Sequence, residues 1–269
     1  MRFKKDFLYS YLKEAPASLA IERSLECEIF SKQEFTPPIL DIGCGDGLFA
    51  FILFDEKIDV GIEPNGRELG KAEEYGMYKE LIQCYGNDVL KKSESFNTIF
   101  SNSVLEHIPE FQPVLNEAHR LLTPEGKFYV TVPTDMFDKY SILYQLLSLF
   151  KLNNLAERYR KFFNKFWKHF NCHKKEDWEK IFRDSGFEVI DSKEYDSKSI
   201  CLINDFLAPF AFLSFIMKRM TGRWIMSPNL RKIYIYPFYL IAKGLIRRYE
   251  SGNTGGIIFF SLKKKYQSG

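Results

Sequence analysis

Three observations predict an α/β protein built on a mainly parallel sheet. Short apolar runs alternate with amphipathic helical patterns along most of the 269 residues, as strand and crossover helix do in such sheets. The first clear apolar run, from Pro38, breaks at Asp41, and Gly43, Gly45 and Gly47 follow at alternate positions before a helical pattern resumes at Leu48. That order is strand, tight turn, helix. A hydrophobic content of 45% over this length permits a sizeable core, in one large domain with insertions.

The turn sets the chemistry. Glycine tolerates backbone angles that side chains forbid and lets a ligand approach closely, while the next helix offers unpaired N–H groups at its start. Two ligand classes compete for such a turn. A dinucleotide turn is spaced Gly-x-Gly-x-x-Gly and seats a pyrophosphate. Here the spacing is Gly43-x-Gly45-x-Gly47, preceded by the acid Asp41, which suits a cationic group better than a phosphate. With this complete Asp-x-Gly-x-Gly-x-Gly motif the chain resembles the class I S-adenosylmethionine (SAM)-dependent methyltransferases. The resemblance implies a doubly wound, mainly parallel seven-stranded sheet, a Rossmann-like methyltransferase fold with helical insertions, and SAM as cofactor. It also implies that Asp41, with Gly43, Cys44 and Gly45, holds the methionine moiety.

A second strand, Ile58 to Glu63, ends in an acid about twenty residues beyond the first glycine. At that separation a carboxylate can accept hydrogen bonds from both ribose hydroxyls, so Glu63 is the expected ribose anchor, with Pro64 turning the chain beside it. A helix is expected from Glu68 to Tyr75 and a third strand from Glu80 to Cys84. In similar methyltransferases the next loop carries an acid or amide facing adenine and an apolar neighbour covering the ring, a pattern matched by Asp88 and Val89. The same residues also suit ordinary turn chemistry.

A fourth strand, Phe96 to Phe100, runs into Ser101-Asn102-Ser103-Val104-Leu105-Glu106-His107-Ile108-Pro109. This segment resembles the motif after the fourth strand in the small-molecule branch of the family, beside the transferable methyl, which adds Ser101 and Asn102 to the expected cofactor site. His107 is the expected base or acceptor-orienting group, since imidazole titrates near working pH; a structural role in capping or packing the following helix competes with it. A helix over Val114–Leu122, a Leu-x-Pro-x-Gly turn and a strand over Lys127–Pro133 complete the first stretch of resemblance, which resumes at Trp178–Ile190. Ile257–Leu262 would be the seventh, antiparallel strand.

Outside this frame, residues 1–36 are an N-terminal helical segment, with an amphipathic helix from a Ser18 cap to Phe30. The N-terminus lacks an uninterrupted apolar run and is not expected to be a signal peptide. Five scattered cysteines without Cys-x-x-Cys pairs point to a reducing cytoplasm, and His169-x-x-Cys172-His173 lacks a fourth ligand, so no metal is expected. A net charge of +3 is too small to argue for nucleic acid by itself.

Two insertions carry what is individual. The first, Thr134 to Lys175, interleaves basic and aromatic residues from Arg158 to Phe170, and three readings stand: a nucleic-acid grip, a membrane-surface helix, or a helix packing its aromatics inward. The second, Asp196 to Thr254, holds two charge-free runs of about ten to twelve residues, each short of the roughly twenty that span a bilayer. Lys218, Arg219, Arg223, Arg231, Lys232, Lys243, Arg247 and Arg248 flank them. Such a segment suits an anionic membrane surface with Trp224 at the interface, or else a lid or dimer contact. The expected activity is methyl transfer to a small, apolar or lipid-linked acceptor, in the cytoplasm at the inner membrane surface. RNA methylation and a non-catalytic scaffold are the alternatives.

Overall fold

The computed structural model describes residues 1–250 and 254–265. Two leading helices, α1 (Phe7–Glu14) and α2 (Ala17–Phe30), precede β1 (Ile39–Ile42) and α3 (Leu48–Leu53). Then come β2 (Ile58–Ile62), α4 (Gly66–Tyr75), β3 (Tyr78–Ile82), β4 (Phe96–Asn102), α5 (Gln112–Leu121) and β5 (Leu122–Pro133). The first insertion forms α6 (Ile142–Leu149) and α7 (Asn153–Trp167), followed by α8 (Lys175–Asp184) and β6 (Phe187–Tyr195). The second forms α9 (Lys198–Leu207), α10 (Phe212–Thr221), α11 (Pro228–Tyr234) and α12 (Tyr236–Tyr249) before β7 (Ile257–Lys264). Positions 251–253 of this insertion and the tail from 266 lie outside the described residues.

The seven strands run β3-β2-β1-β4-β5-β7-β6, and β7 is antiparallel to both neighbours, as expected. The five strands from β3 to β5 are parallel. Strand alternation divides the core. Ile39, Phe100, Tyr129 and Phe259 face α1, α2 and α3, whereas Leu40, Ile42, Ile99, Phe128 and Phe260 face α5 and α8. The leading helices thus share a core with the sheet rather than forming a segment apart.

Several bounds differ from expectation for local reasons. Pro16, not Ser18, precedes α2, because proline fits the start of a helix, where its missing N–H is not needed. Helix α1 is additional. Strand β3 starts two residues early, since Tyr78 pairs in register with Ile58 of β2. In the second insertion Pro209 falls at the first positions of a short 3-10 segment, where it breaks nothing, so Lys198–Thr221 is one 24-residue helix. By length and composition that helix could cross a membrane, which corrects the expectation drawn from its shorter charge-free run. Its first turns are nevertheless built into the body: Ile200 and Cys201 are buried and Ser197 is bonded to Tyr249 and Glu250.

Candidate active site

The carboxyl ends of β1, β2 and β4 meet where the strand order reverses, and most of the predicted residues gather there. The chain leaves β1 through Gly43, Gly45 and Gly47, with φ of 77°, 54° and 76°. A Cβ at Gly43 would lie 2.7 Å from the Val104 side chain, and one at Gly47 2.8 Å from the Ala72 backbone, whereas nothing lies within 4 Å at Gly45. Gly45 therefore presents open backbone. The N–H groups of Gly43 and Cys44 both donate to the Ile62 carbonyl at 2.9 Å, which fixes the turn against β2.

That fixing aligns Glu63. Its Oε2 accepts from the Gly45 N–H at 3.2 Å and its Oε1 from the Asn65 N–H at 2.9 Å. Burial raises the Glu63 pKa, and the two N–H groups oppose the rise. Pro64 is exposed, and its carbonyl accepts from the Gln83 amide. Asp41 is 3% exposed, and its Oδ2 accepts from the Tyr78 hydroxyl at 2.8 Å. Burial lifts the Asp41 carboxyl to about 7, against the pull of that hydroxyl. The phenol reaches Asp41 by crossing β2 over Gly61, where a Cβ would meet its ring at 2.6 Å. Sequence reasoning missed both Tyr78 and Gly61; a glycine inside a strand was the available signal.

Three expected cofactor residues behave differently. Val89 is 2% exposed and belongs to the core, so its side chain does not cover an open cleft. Its backbone is held instead by Glu117 and Arg120. Ser101 is fully buried and its hydroxyl donates to the Ile42 carbonyl, joining β4 to β1. Asn102 donates to Glu26 of α2 at 2.7 Å and accepts from Thr131. Asp88 is exposed beyond the turn that its N–H makes with Tyr85.

Asn102 leads into a second cluster. Glu26, fully buried, accepts from Arg23 through both oxygens at 2.8 Å and from Asn102 and Ser103. Beside it a cavity of about 40 Å³ is lined by Glu22, Arg23, Ser103, Glu106, His107 and His169, among others. His107 closes a short 3-10 turn, and its Nδ1 lies 3.2 Å from the Lys168 carbonyl. Burial lowers its pKa, and that carbonyl opposes the shift. Among the described residues no group of three or more His, Cys, Asp or Glu side chains could hold a metal ion.

The second insertion reaches the same region. The Lys218 ammonium, at the end of α10, is bound to Asp46 of the glycine turn and lies 3.1 Å from Glu68 of α4. The Trp224 ring lies 5.0 Å from it. Arg67 donates to the Arg219 carbonyl and Arg223 pairs with Glu74 at 3.1 Å. Lys218 and Arg223 therefore fasten the insertion to the glycine turn and α4; Lys218 is turned inward, whereas Arg223 stays exposed as the sequence suggested.

Residues 13–192 match the family model described as a methyltransferase domain. The chain belongs to the class I SAM-dependent methyltransferases. It is 31% identical over 128 residues to a sterol 4-C-methyltransferase of Caenorhabditis elegans, covering 44% of this chain and 38% of that one. It is 28% identical over 101 residues to the ubiquinone biosynthesis O-methyltransferase of Salmonella paratyphi A, covering 35% and 42%. The matches thus span about two fifths of these relatives. A SAM-dependent methyltransferase from Thermotoga maritima shares the fold, with a TM-score of 0.54 at 18% identity over 96% of this chain and 92% of that one. The site of this methyltransferase suits the family's cofactor: open backbone at Gly45, the Glu63 carboxylate aligned by two backbone N–H groups, and the buried acid Asp41 at the end of β1.

Proposed function

We propose that this protein transfers the methyl group of SAM to a small, apolar or lipid-linked acceptor at a membrane surface, on the cytoplasmic side. One observation carries the choice of acceptor. The helices fastened over the glycine turn expose large apolar side chains, among them Phe206, Phe210, Phe212, Leu213 and Met220 of α9, α10 and the turn between them, and Ile233 and Ile241 beyond. Exposed Arg219, Lys232, Arg247 and Arg248 border them. Exposed apolar side chains interspersed with basic ones on the same insertion match the headgroup region of an anionic membrane. Helix α7 adds exposed Phe162 and Phe166 among Arg158, Lys161 and Lys165, while Phe163 on its other side packs against Phe137 and Tyr159.

SAM supplies a methyl already activated by its sulfonium, so the protein's tasks are to bind, to orient and to accept a proton. Asp41 and the backbone of Gly43, Cys44 and Gly45 are assigned to the methionine end, Glu63 and Pro64 to the ribose, and Asp88 to the adenine. The test uses SAM labelled on its methyl group, the purified protein and a cell extract, partitioned into organic, aqueous and nucleic-acid fractions. Label in the organic phase, with binding to anionic but not neutral vesicles, is the expected result. Label in RNA supports RNA modification through α7, and no transfer despite SAM binding supports a scaffold; either refutes the proposal.

A further inference from the structure

We propose that the cavity between α2, the turn after β4 and the end of the first insertion receives the reacting hydroxyl of an uncharged acceptor, with Glu106 as its proton acceptor and His169 as its second hydrogen-bond partner. This rests on the methyltransferase reading and specifies its acceptor. The cavity is tied to the cofactor turn through Val104, whose side chain closes against Gly43 and which lies in the chain between Ser103 and Glu106, both of which line the cavity. Its far wall is held in place. The Phe170 N–H donates to the Glu106 carbonyl at 2.8 Å, and the Asn171 amide donates to the carbonyls of Leu105 and Ile108 at 3.2 and 2.8 Å.

Two atoms point to a ligand. Glu106 Oε2 and His169 Nδ1 are buried, and neither has a hydrogen-bond partner. Buried polar atoms are nearly always paired, and leaving one unpaired costs about 1–3 kcal/mol, so two on one small cavity define a place where a polar group belongs. A volume of about 40 Å³ suits a hydroxyl-sized group. His107 is less suited to take the proton, because its Nδ1 faces the Lys168 carbonyl and its side chain is 42% exposed. Its Nε2 lies 3.9 Å from Glu106 Oε1, and its ring centroid is 5.1 Å from that of His169, so it packs beside both.

Electrostatics select the acceptor's charge. The groups facing Glu106 are Glu22, Arg23 and Glu26 from α2, His107 beside it, and His169 and Cys172 from the insertion. Arg23 is already engaged by Glu26 and lies 3.8 Å from Glu22. A carboxylate or phosphate would add negative charge to a pocket whose single cation is committed, whereas a neutral phenol or alcohol adds none. Burial lifts the Glu106 carboxyl to about 8 and pushes His169 down to about 4. His169 is then a neutral acceptor throughout the working range, and Glu106 is a base matched to it. In the reaction the acceptor O–H proton passes to Glu106, the oxygen forms its bond to the methyl carbon, and the carbon–sulfur electron pair stays with sulfur.

The test titrates heptylphenol, heptylbenzoate and heptyl phosphate into the full chain by calorimetry, with and without S-adenosylhomocysteine. Heptylphenol should bind best, and Glu106→Ala and His169→Ala should each weaken it about tenfold while S-adenosylhomocysteine affinity, a check on folding, is unchanged. Methylation of heptylphenol should rise with pH through about 8, and that limb should vanish in Glu106→Gln, which still binds the phenol. Preference for either anion, equal binding by the variants, or a wild-type rate flat through about pH 8 overturns the proposal. Failure to bind S-adenosylhomocysteine with phenol binding retained overturns the cofactor site and leaves this one standing.

Discussion

Replacing Tyr78 by phenylalanine should destabilise the protein more at high pH than at low pH. The Tyr78 hydroxyl donates to buried Asp41 at 2.8 Å, and Asp41 titrates at about 7 in the fold against 3.8 in its ordinary state. The folded state therefore holds this proton more tightly than the unfolded chain does. Stability contributed by the group is greatest below the ordinary pKa, falls as pH rises towards 7, and levels off above it, with a total penalty of about 4 kcal/mol. Without the hydroxyl the ionised carboxylate loses a charge-assisted hydrogen bond of about 1.5–3 kcal/mol, while the protonated form loses one of about 1 kcal/mol. The Asp41 pKa should then rise by about one unit. Urea unfolding of wild type and Tyr78→Phe at pH 5 and pH 8 reads the difference, expected as a loss larger by about 1 kcal/mol at pH 8. A loss that is equal at both, or larger at pH 5, refutes the coupling. If Asp41 also faces the cofactor's ammonium, S-adenosylhomocysteine binding at pH 6 should release protons, visible in buffers of different ionisation enthalpy, and should release none above pH 8.

Gly61→Ala forces a methyl to within 2.6 Å of the Tyr78 ring and should lower stability by about 1–3 kcal/mol in urea unfolding; a neutral effect means that the ring does not cross β2 there. Glu26→Ala removes a fully buried carboxylate that pairs with Arg23 and accepts from Asn102 and Ser103, and should cost about 3–5 kcal/mol by the same assay. Lys218→Met cuts the tie between α10 and the acids Asp46 and Glu68. Stopped-flow binding of S-adenosylhomocysteine should then be faster, and an unchanged association rate shows that α10 does not guard the cleft.

What the sequence made legible follows from the range of the interactions that encode it. The glycine turn, the acid ending β2 and the alternating strands are local patterns, and they fall where expected because backbone angles and two-residue periodicity are set by neighbours in the chain. The position of Glu63 at the end of β2, bonded to the glycine turn, follows from such a pattern. At Ser101 and Val89 motif position fixes a residue's place along a strand or loop, whereas packing decides where the side chain points. Ser101 spends its hydroxyl on β1, and Val89 turns into the core. The least legible parts depend on distant pairs. Lys218 reads as one of many basic residues on an apolar insertion until the chain folds 172 positions back and sets it on Asp46. Glu106 and His169 likewise come from a family-like turn and an individual insertion, and only the bonds from Phe170 and Asn171 bring them to one cavity. The cofactor half of the site is thus written in local pattern, while the acceptor half is written in contacts between insertion and frame, where family resemblance carries least information.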